Sequence, residues 1–287
     1  METWIVTGAG GFLGKRISAY WSSDSGKRVI GMTHAEMDFT DPDVVKRVFD
    51  SVRPDVLIHA GAIADTGVCE REPELSMKVN VWGTEILAQT CAAYHTKMIY
   101  CSSDQVYTGS RNILPHTEDE PVQPENIYGQ HKRMAEVLCR EISPDSVSLR
   151  LSWMYDLPTT NCPVKPNFLT QLLEQIGSKE IFSRPVNDYR GITDAAYVVR
   201  FLDACTAFPG GIYNWGSENP LNTYEMTKEV LKLLHADTGL LLADTERDQE
   251  CPRNLAMNMK KVRHLGINFP DTVTGIEKCL KKYSMIV

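Results

Sequence analysis

The sequence lacks the patterns that would indicate a metal centre, a disulfide framework or a membrane span. Its eight cysteines form no Cys-x-x-Cys pair and no metal-ligand spacing, and some lie in apolar segments such as 98–101, so we expect reduced thiols. No window approaches about 20 consecutive apolar residues, and no basic stretch precedes an apolar run at the N-terminus. We therefore expect a cytoplasmic protein with no membrane partner.

Clustered basic residues and internal repeats are also missing. The formal net charge is -7, which disfavours nucleic acid as a partner because phosphate backbones are bound by clustered Lys and Arg. Hydrophobic residues make up 43% and charged residues 23% of the 287 residues, as in ordinary globular proteins. The chain is long enough for one large α/β domain or for a nucleotide-binding domain with a smaller lobe.

Short β-branched or apolar runs alternate with amphipathic helical stretches through the first two thirds of the chain. This alternation predicts an α/β fold, a Rossmann-like doubly wound parallel sheet with a smaller C-terminal lobe. We assign 1–153 and about 185–215 to the domain that contains this sheet, and 154–184 with 216–287 to the lobe. Strands are predicted at 4–7, 29–32, 56–59, 98–101, 147–151 and 211–215, and one long helix at 75–94.

A glycine run follows the first predicted strand. Gly8, Gly11 and Gly14 have GxxGxxG spacing, and Phe12 and Leu13 begin the helix between the last two glycines. Backbone N–H groups at such a helix N-terminus can bind a pyrophosphate. A glycine-rich turn with a purely structural role is the alternative.

The end of the second predicted strand bears on the choice of cofactor. Residues 31–34 contain no carboxylate that would repel a 2′-phosphate, so both NADP(H) and NAD(H) are allowed and NADPH is slightly favoured. Asp38 and Phe39 follow a little later. They either frame the adenine or are a loop acid beside a core aromatic residue.

Three residues have the chemistry needed to move a proton at a carbonyl group. Ser103 follows the apolar run 98–101, so its hydroxyl is expected at the carboxyl end of a central strand. Tyr128 and Lys132 are four residues apart and share one helical face, where the ammonium can lower the pKa of the phenol. Tyr128 would then protonate a developing alkoxide while Ser103 hydrogen-bonds the same oxygen. An exposed Tyr beside a solvated Lys is the alternative explanation of this pair.

These residues, with further motifs, resemble the extended short-chain dehydrogenase/reductase superfamily, and within it the dTDP-4-dehydrorhamnose reductase family. The resemblance covers nearly the whole chain. It implies that the domain at 1–153 and about 185–215 binds NAD(P) and that the smaller lobe binds the substrate. Its motifs lie at 53–56, 59–62, 69–70, 73–74, 79–80, 102–107, 128–132, 150–155, 167–168, 252–254 and 261.

The resemblance implies roles for further residues. Cofactor contacts are expected from Ala60, Gly61, Ala62, Asn80 and Ser102 as well as from Tyr128 and Lys132, and substrate contacts from Ser103, Asp104, Gln105, Trp153, Asn167 and Arg190. Trp153 could equally be a core aromatic residue, and Arg190 either binds a nucleotide diphosphate or forms a surface ion pair. The resemblance also allows Mg²⁺ and a homodimer, although the sequence contains no carboxylate cluster that we would name as metal ligands.

Three functions are consistent with this resemblance. The first is an NAD(P)H-dependent reductase of a nucleotide-linked 4-keto-6-deoxy sugar, which the chain length favours. A sugar epimerase would use the same three residues without net cofactor consumption. A regulatory subunit that binds NADP without catalysis, like the beta subunit of methionine adenosyltransferase, is the third. Dehydration is disfavoured, because the amide of Gln105 replaces the carboxyl group that related dehydratases use as an acid/base.

Overall fold

The computed structural model describes residues 1–158 and 166–286, which group into two compact units. The first unit comprises Met1–Val106, Gln123–Arg150 and Val199–Tyr213, and the second comprises Tyr107–Val122, Leu151–Val198 and Asn214–Val287. The second unit therefore includes 107–122 and 185–198, which the domain ranges proposed from the sequence place in the cofactor domain. Those ranges stay a prediction.

The first unit is built on a six-stranded sheet with the order β10-β5-β4-β3-β1-β2. The β1/β2, β1/β3 and β3/β4 pairs are parallel, and β3 is buried at every position, as expected for a parallel strand covered on both faces. The predicted Rossmann-like parallel sheet and its strands are therefore confirmed. The strands are β1 (Glu2–Thr7), β2 (Lys27–Met32), β3 (Val56–His59), β4 (Lys97–Ser103), β5 (Val147–Leu151) and β10 (Gly211–Trp215).

Helices connect these strands and supply apolar side chains to a core that includes Ile5, Phe49, Leu57, Leu87 and Met98. The long helix predicted at 75–94 is present as three contiguous segments, because a π-helical stretch at Lys78–Trp82 separates α4 from α5. The helices are α1 (Phe12–Trp21), α2 (Pro42–Val52), α3 (Thr66–Arg71), α4 (Pro73–Met77), α5 (Gly83–Tyr94) and α6 (Ile127–Ile142), and a 3₁₀ segment spans Leu202–Ala207.

The second unit contains short two-stranded sheets and helices around its own apolar core, which includes Tyr155, Phe168, Leu172, Val230 and Ile276. The strand pairs are β11 with β7, β12 with β8 and β6 with β9. The loop predicted at 156–166 lies partly outside the described residues. The strands are β6 (Trp153–Tyr155), β7 (Phe182–Pro185), β8 (Asp188–Arg190), β9 (Ile192–Asp194), β11 (Leu241–Asp244) and β12 (Arg253–Leu255). The helices are α7 (Phe168–Ser178), α8 (Ala195–Arg200), α9 (Thr223–Leu233), α10 (Lys260–His264) and α11 (Thr272–Lys282).

Within 1–158 and 166–286, the chain has no helix that is both long enough and apolar enough to span a bilayer.

Candidate active site

The strand order identifies where a ligand is expected in the first unit. The order 2-1-3-4-5 reverses direction between β1 and β3, and doubly wound sheets bind ligands outside the carboxyl ends of the strands at such a reversal. The glycine run follows β1 and residues 60–62 follow β3. Both predicted cofactor segments therefore lie at the same edge of the sheet.

The glycine loop is tightly packed and leaves the start of α1 open. Gly8 has φ +66°, and a Cβ atom there would lie 2.8 Å from the backbone of Gly61. A Cβ atom on Gly14 would lie 2.3 Å from the carbonyl oxygen of Gly8. Gly11 is the N-cap residue of α1, and no side chain caps this end of the helix. The N–H groups of the first turn, which include those of Phe12 and Leu13, are the donors that fit a pyrophosphate.

A chain of buried hydrogen bonds holds the loop after β3. Thr84 donates its hydroxyl proton to the carbonyl oxygen of Asn80 at 2.8 Å, so its Oγ1 accepts from His59 Nε2 at 3.0 Å. His59 Nδ1 then accepts from Thr7 Oγ1 at 2.7 Å, and Thr7 Oγ1 accepts from the N–H of Gly61 at 3.1 Å. The partners therefore assign His59 as the neutral Nε2–H tautomer. Burial, together with the charge of Lys132, lowers the pKa of His59 to about 3, in agreement with this assignment.

The side chain of Asn80 holds the same loop at a second point. It lies in the π-helical segment, is buried, and bonds both backbone groups of Ile63: Oδ1 accepts from the N–H at 2.9 Å and Nδ2 donates to the carbonyl at 3.0 Å. Ala60 and Ala62, which flank the buried Gly61, are half-buried. Asn80 thus shapes the segment that is expected to line the cofactor.

A carboxylate from outside residues 31–34 comes back to the end of β2. Glu36 accepts hydrogen bonds from Thr33 N at 2.8 Å and from Thr33 Oγ1 at 2.7 Å, and these bonds lower the pKa of Glu36. The sequence did not reveal this neighbour because it depends on the turn after β2, in which the N–H groups of Glu36 and Met37 both donate to Thr33 O. A Cβ atom on Gly10 would lie 3.7 Å from Thr33 Cγ2, so this turn borders the glycine loop.

Asp38 and Phe39 lie further along this turn. Asp38 Oδ1 accepts from the backbone N–H and the hydroxyl of Thr40 at 2.9 and 2.8 Å. The ring of Phe39 is buried, meets His59 edge to face at 4.9 Å, and lies where a Cβ atom on Gly61 would approach it to 2.6 Å. Phe39 therefore belongs to the core of the first unit.

The three predicted catalytic residues lie in the first unit on two neighbouring elements. Ser103 is the last residue of β4, and Tyr128 and Lys132 lie in the first two turns of α6. The side chain of Asn126 caps this helix by accepting from the N–H of Gly129 at 2.6 Å. Lys132 Nζ donates to the carbonyl oxygen of Cys101 at 2.8 Å and lies 5.7 Å from the centre of the Tyr128 ring.

The structure corrects the direction of the expected pKa shift for the phenol. Burial raises the pKa of Tyr128, and the hydroxyl of Ser103 acts in the opposite direction. Lys132 was expected to lower the pKa of Tyr128, but desolvation is the larger effect because the phenolate would be buried. Burial also lowers the pKa of Lys132 to about 8. The phenol of Tyr128 is therefore protonated at neutral pH.

Asp104 and Gln105 continue the chain from Ser103. Asp104 Oδ1 accepts from Ser103 Oγ at 3.2 Å and from Gln105 Nε2 at 3.3 Å. The amide oxygen of Gln105 accepts from Asn126 Nδ2 at 3.1 Å. All three of the residues 103–105 are buried, and Gln105 links the end of β4 to the cap of α6.

The remaining predicted substrate residues belong to the second unit. Trp153 is 37% exposed, which is inconsistent with a core position, and the guanidinium of Arg190 lies 5.0 Å from the centre of its ring. Asn167 is buried and forms a capping box at the start of α7, while its Nδ2 donates to the carbonyl of Asp156 at 2.9 Å. Asn167 therefore has a structural role in this unit.

Two side chains near the predicted site were given no role from the sequence. His59 lies in the motif at 59–62, but its role depends on hydrogen bonds to Thr7 and Thr84, which are far away in the sequence. Glu136 accepts from Ser102 Oγ at 2.7 Å. It follows Lys132 by four residues, so the helical spacing that relates Tyr128 to Lys132 was the signal available for it.

No group of three or more His, Cys, Asp or Glu residues suited to a metal ion occurs in the described part of the chain.

Comparisons with known proteins identify the family. The family model described as RmlD substrate binding domain matches residues 2–285. The spore coat polysaccharide biosynthesis protein SpsK of Bacillus subtilis is 28% identical over 245 residues, covering 84% of this chain and 83% of that protein. A dTDP-4-dehydrorhamnose reductase of Streptomyces griseus is 30% identical over 242 residues, covering 82% and 77%.

Solved structures show the same fold. The crystal structure of dTDP-4-dehydrorhamnose reductase from Bacillus anthracis in complex with NADP has a TM-score of 0.86 and 21% identity, and the match covers 98% of this chain and 99% of that one. The chain therefore belongs to the family described as RmlD substrate binding domain.

Proposed function

We propose that this protein is an NAD(P)H-dependent reductase of a nucleotide-linked 4-keto-6-deoxy sugar. The observation that carries the proposal is the grouping of Ser103, Tyr128 and Lys132 on β4 and α6, at the sheet edge where the glycine loop also lies. The relative from Streptomyces griseus is named for this activity, and the Bacillus anthracis structure of the same name contains NADP.

The residues at the reversal of strand order fit a dinucleotide. A side chain at Gly8 or Gly14 would fill the turn, and the first turn of α1 has no side-chain cap. We assign the pyrophosphate to this helix N-terminus and further cofactor contacts to residues 60–62. When bound, the reduced nicotinamide would supply the hydride.

The chain's own groups then supply and direct the proton. Tyr128 is protonated at neutral pH because burial raises its pKa, so its Oη can donate to the sugar oxygen as negative charge develops there. The Ser103 hydroxyl donates to Asp104 in this structure, and with substrate bound it would turn to donate that proton to the same oxygen. Lys132, held by the carbonyl of Cys101, places a buried positive charge beside the phenol.

The choice between NADPH and NADH depends on Glu36. The sequence slightly favoured NADPH because no acid was expected at the end of β2. The carboxylate that Thr33 holds there acts against that preference, since it repels a 2′-phosphate and can accept from a ribose hydroxyl. We propose that the protein accepts both cofactors and that Glu36 limits its affinity for NADPH.

The substrate contacts expected of Trp153 and Arg190, which both belong to the second unit, stay predictions from the resemblance. The exposed Trp153 ring and the Arg190 guanidinium stacked on it offer an apolar surface and a bidentate cation suited to a sugar and a diphosphate. The use of Mg²⁺ and homodimer formation stay predictions from the resemblance, and a cytoplasmic location stays a prediction from the sequence composition.

The test follows the absorbance of the reduced nicotinamide with dTDP-4-keto-6-deoxy sugars, for wild type, Tyr128→Phe and a control. We expect Tyr128→Phe to lower kcat by about 100-fold or more, the usual contribution of a general acid. Tyr94→Phe removes a tyrosine hydroxyl that bonds Asp50 on the surface and should keep wild-type turnover. Equal turnover by Tyr128→Phe and wild type would refute the catalytic assignment.

The same preparation separates the two other functions. Interconversion of nucleotide-hexose epimers without net cofactor consumption would identify an epimerase. Cofactor binding without turnover of any sugar, together with co-purification of a larger enzyme, would identify a regulatory subunit.

A further inference from the structure

Three residues of α6 that are spaced one turn apart face the end of β4. Tyr128, Lys132 and Glu136 are related by steps of four residues, which places them on one face of the helix. Lys132 binds the carbonyl of Cys101, and Glu136 Oε1 accepts from Ser102 Oγ at 2.7 Å. The next residue along β4 is the catalytic Ser103.

Glu136 is itself held in a fixed orientation. Arg150 Nε donates to Oε1 at 2.9 Å and Arg150 Nη2 donates to Oε2 at 2.8 Å, and both side chains are 1% exposed. Arg133 Nη1 reaches Oε2 at 3.5 Å. A buried ion pair contributes little net stability because of its desolvation cost, but its bidentate geometry restricts orientation strongly.

The hydroxyl proton of Ser102 is engaged in the hydrogen bond to Glu136. A serine hydroxyl has one proton to donate, and Ser102 Oγ donates it to Glu136 at 2.7 Å. Ser102 is 3% exposed. The Ser102 side chain therefore joins β4 to α6, and the expected cofactor contact of Ser102 stays a prediction.

We propose that Glu136, which is held by Arg150 and bonded to Ser102, is a positioning residue. It sets where α6 lies against the end of β4. It thereby places the hydroxyls of Tyr128 and Ser103 so that both can reach the same substrate oxygen. This proposal rests on the proposed function, because it assigns those two hydroxyls to the reaction. Catalytic groups must be held within about 0.5 Å of their productive geometry, and a displacement of about 1 Å costs on the order of 100-fold in rate.

Ser102→Ala is the informative variant, since it removes the hydrogen bond to Glu136 and leaves the ion pair with Arg150 in place. Ser146→Ala is its matched control: the buried Ser146 hydroxyl also bonds α6, donating to the carbonyl of Cys139 at 3.0 Å near the other end of the helix. Both variants should lower the melting temperature by similar amounts, because each loses one buried hydrogen bond.

The kinetic outcomes separate three roles for Ser102. Positioning lowers kcat of Ser102→Ala by about 10-fold or more, with unchanged cofactor dissociation constant and unchanged kcat in Ser146→Ala. A cofactor contact would instead raise the dissociation constant, measured by NADPH and NADH fluorescence without substrate. A structural role alone would leave both quantities at wild-type values. Either of the last two results overturns the proposal.

Crystal structures of wild type, Ser102→Ala and Ser146→Ala decide the proposal even if the wild type reduces no keto-sugar. We expect the separation between Tyr128 Oη and Ser103 Oγ to change by about 0.5 Å or more in Ser102→Ala and to stay constant in Ser146→Ala. An unchanged separation in Ser102→Ala would overturn the positioning role, whereas missing turnover by the wild type bears only on the proposed function.

Discussion

Acid should destabilise the protein through His59. Burial lowers the pKa of His59 to about 3, whereas the side chain in an unfolded chain titrates near about 6.5. Between these values the unfolded state binds a proton that the folded state does not. The free energy of unfolding therefore rises with pH in this window, and the contribution of His59 is lost as the pH falls from about 6.5 towards 3.

The size of the loss follows from the two pKa values. Each pH unit within the window changes the free energy of unfolding by about 1.4 kcal/mol. From about pH 7 to about pH 5 the pH crosses roughly 1.5 units of the window, so His59 should account for a loss of about 2 kcal/mol. The physical cause is desolvation of the buried ring, together with the nearby charge of Lys132. Thr7 and Thr84 satisfy both ring nitrogens of the neutral imidazole, so a second ring proton would find no acceptor.

The assay is urea unfolding of wild type and His59→Asn at about pH 7 and about pH 5. His59→Asn lowers stability at both pH values, but its loss between them should be smaller than that of wild type by about 2 kcal/mol. His264→Asn, at an exposed position, is the control and should keep the wild-type loss. If His59→Asn loses as much stability as wild type, His59 is not held neutral and the assigned hydrogen-bond chain is wrong.

Three further predictions concern the site and the fold. Since burial lowers the pKa of Lys132 to about 8, kcat should fall as the pH rises above about 8, and a flat profile up to about 10, where an ordinary lysine titrates, would contradict this. Glu36→Gln should raise the ratio of NADPH affinity to NADH affinity by about 10-fold, as expected when one charge beside a phosphate is removed. Fluorescence titration without substrate measures this ratio, and an unchanged ratio would exclude Glu36 from cofactor selection. Gly191→Ala should lower the melting temperature, because the added Cβ would lie 1.9 Å from the carbonyl oxygen of Ser217. At Gly177 an added Cβ would have no atom within 4 Å, so Gly177→Ala should raise the melting temperature slightly.

The sequence predicted the features that depend on local spacing. The strands that precede Gly8, Ala60 and Ser103 were recognisable from their apolar composition, because parallel strands are buried on both faces. The positions of Tyr128 and Lys132 on one helical face follow from four-residue spacing alone. The α/β class and the approximate place of the glycine loop therefore needed no tertiary information.

Other features depend on residues that lie far apart in the chain. His59 is held by Thr7 and Thr84, and Glu136 by Arg150, and no periodic pattern relates such partners. Burial depends on the same packing, so the raised pKa of Tyr128 was opposite to the shift expected from its neighbour Lys132.

The sequence by itself therefore determined which elements form and which chemical groups each of them contains, since helical and strand periodicity act over a few residues. Only the tertiary structure decided how those groups are used. The turn after β2 brings the Glu36 carboxylate back to Thr33, and packing places Phe39 in the core. The side chain of Ser102 bonds Glu136 because β4 and α6 meet there. Hydrogen-bond partners and desolvation are properties of the folded surroundings of a residue, which the residue types and their spacing do not contain.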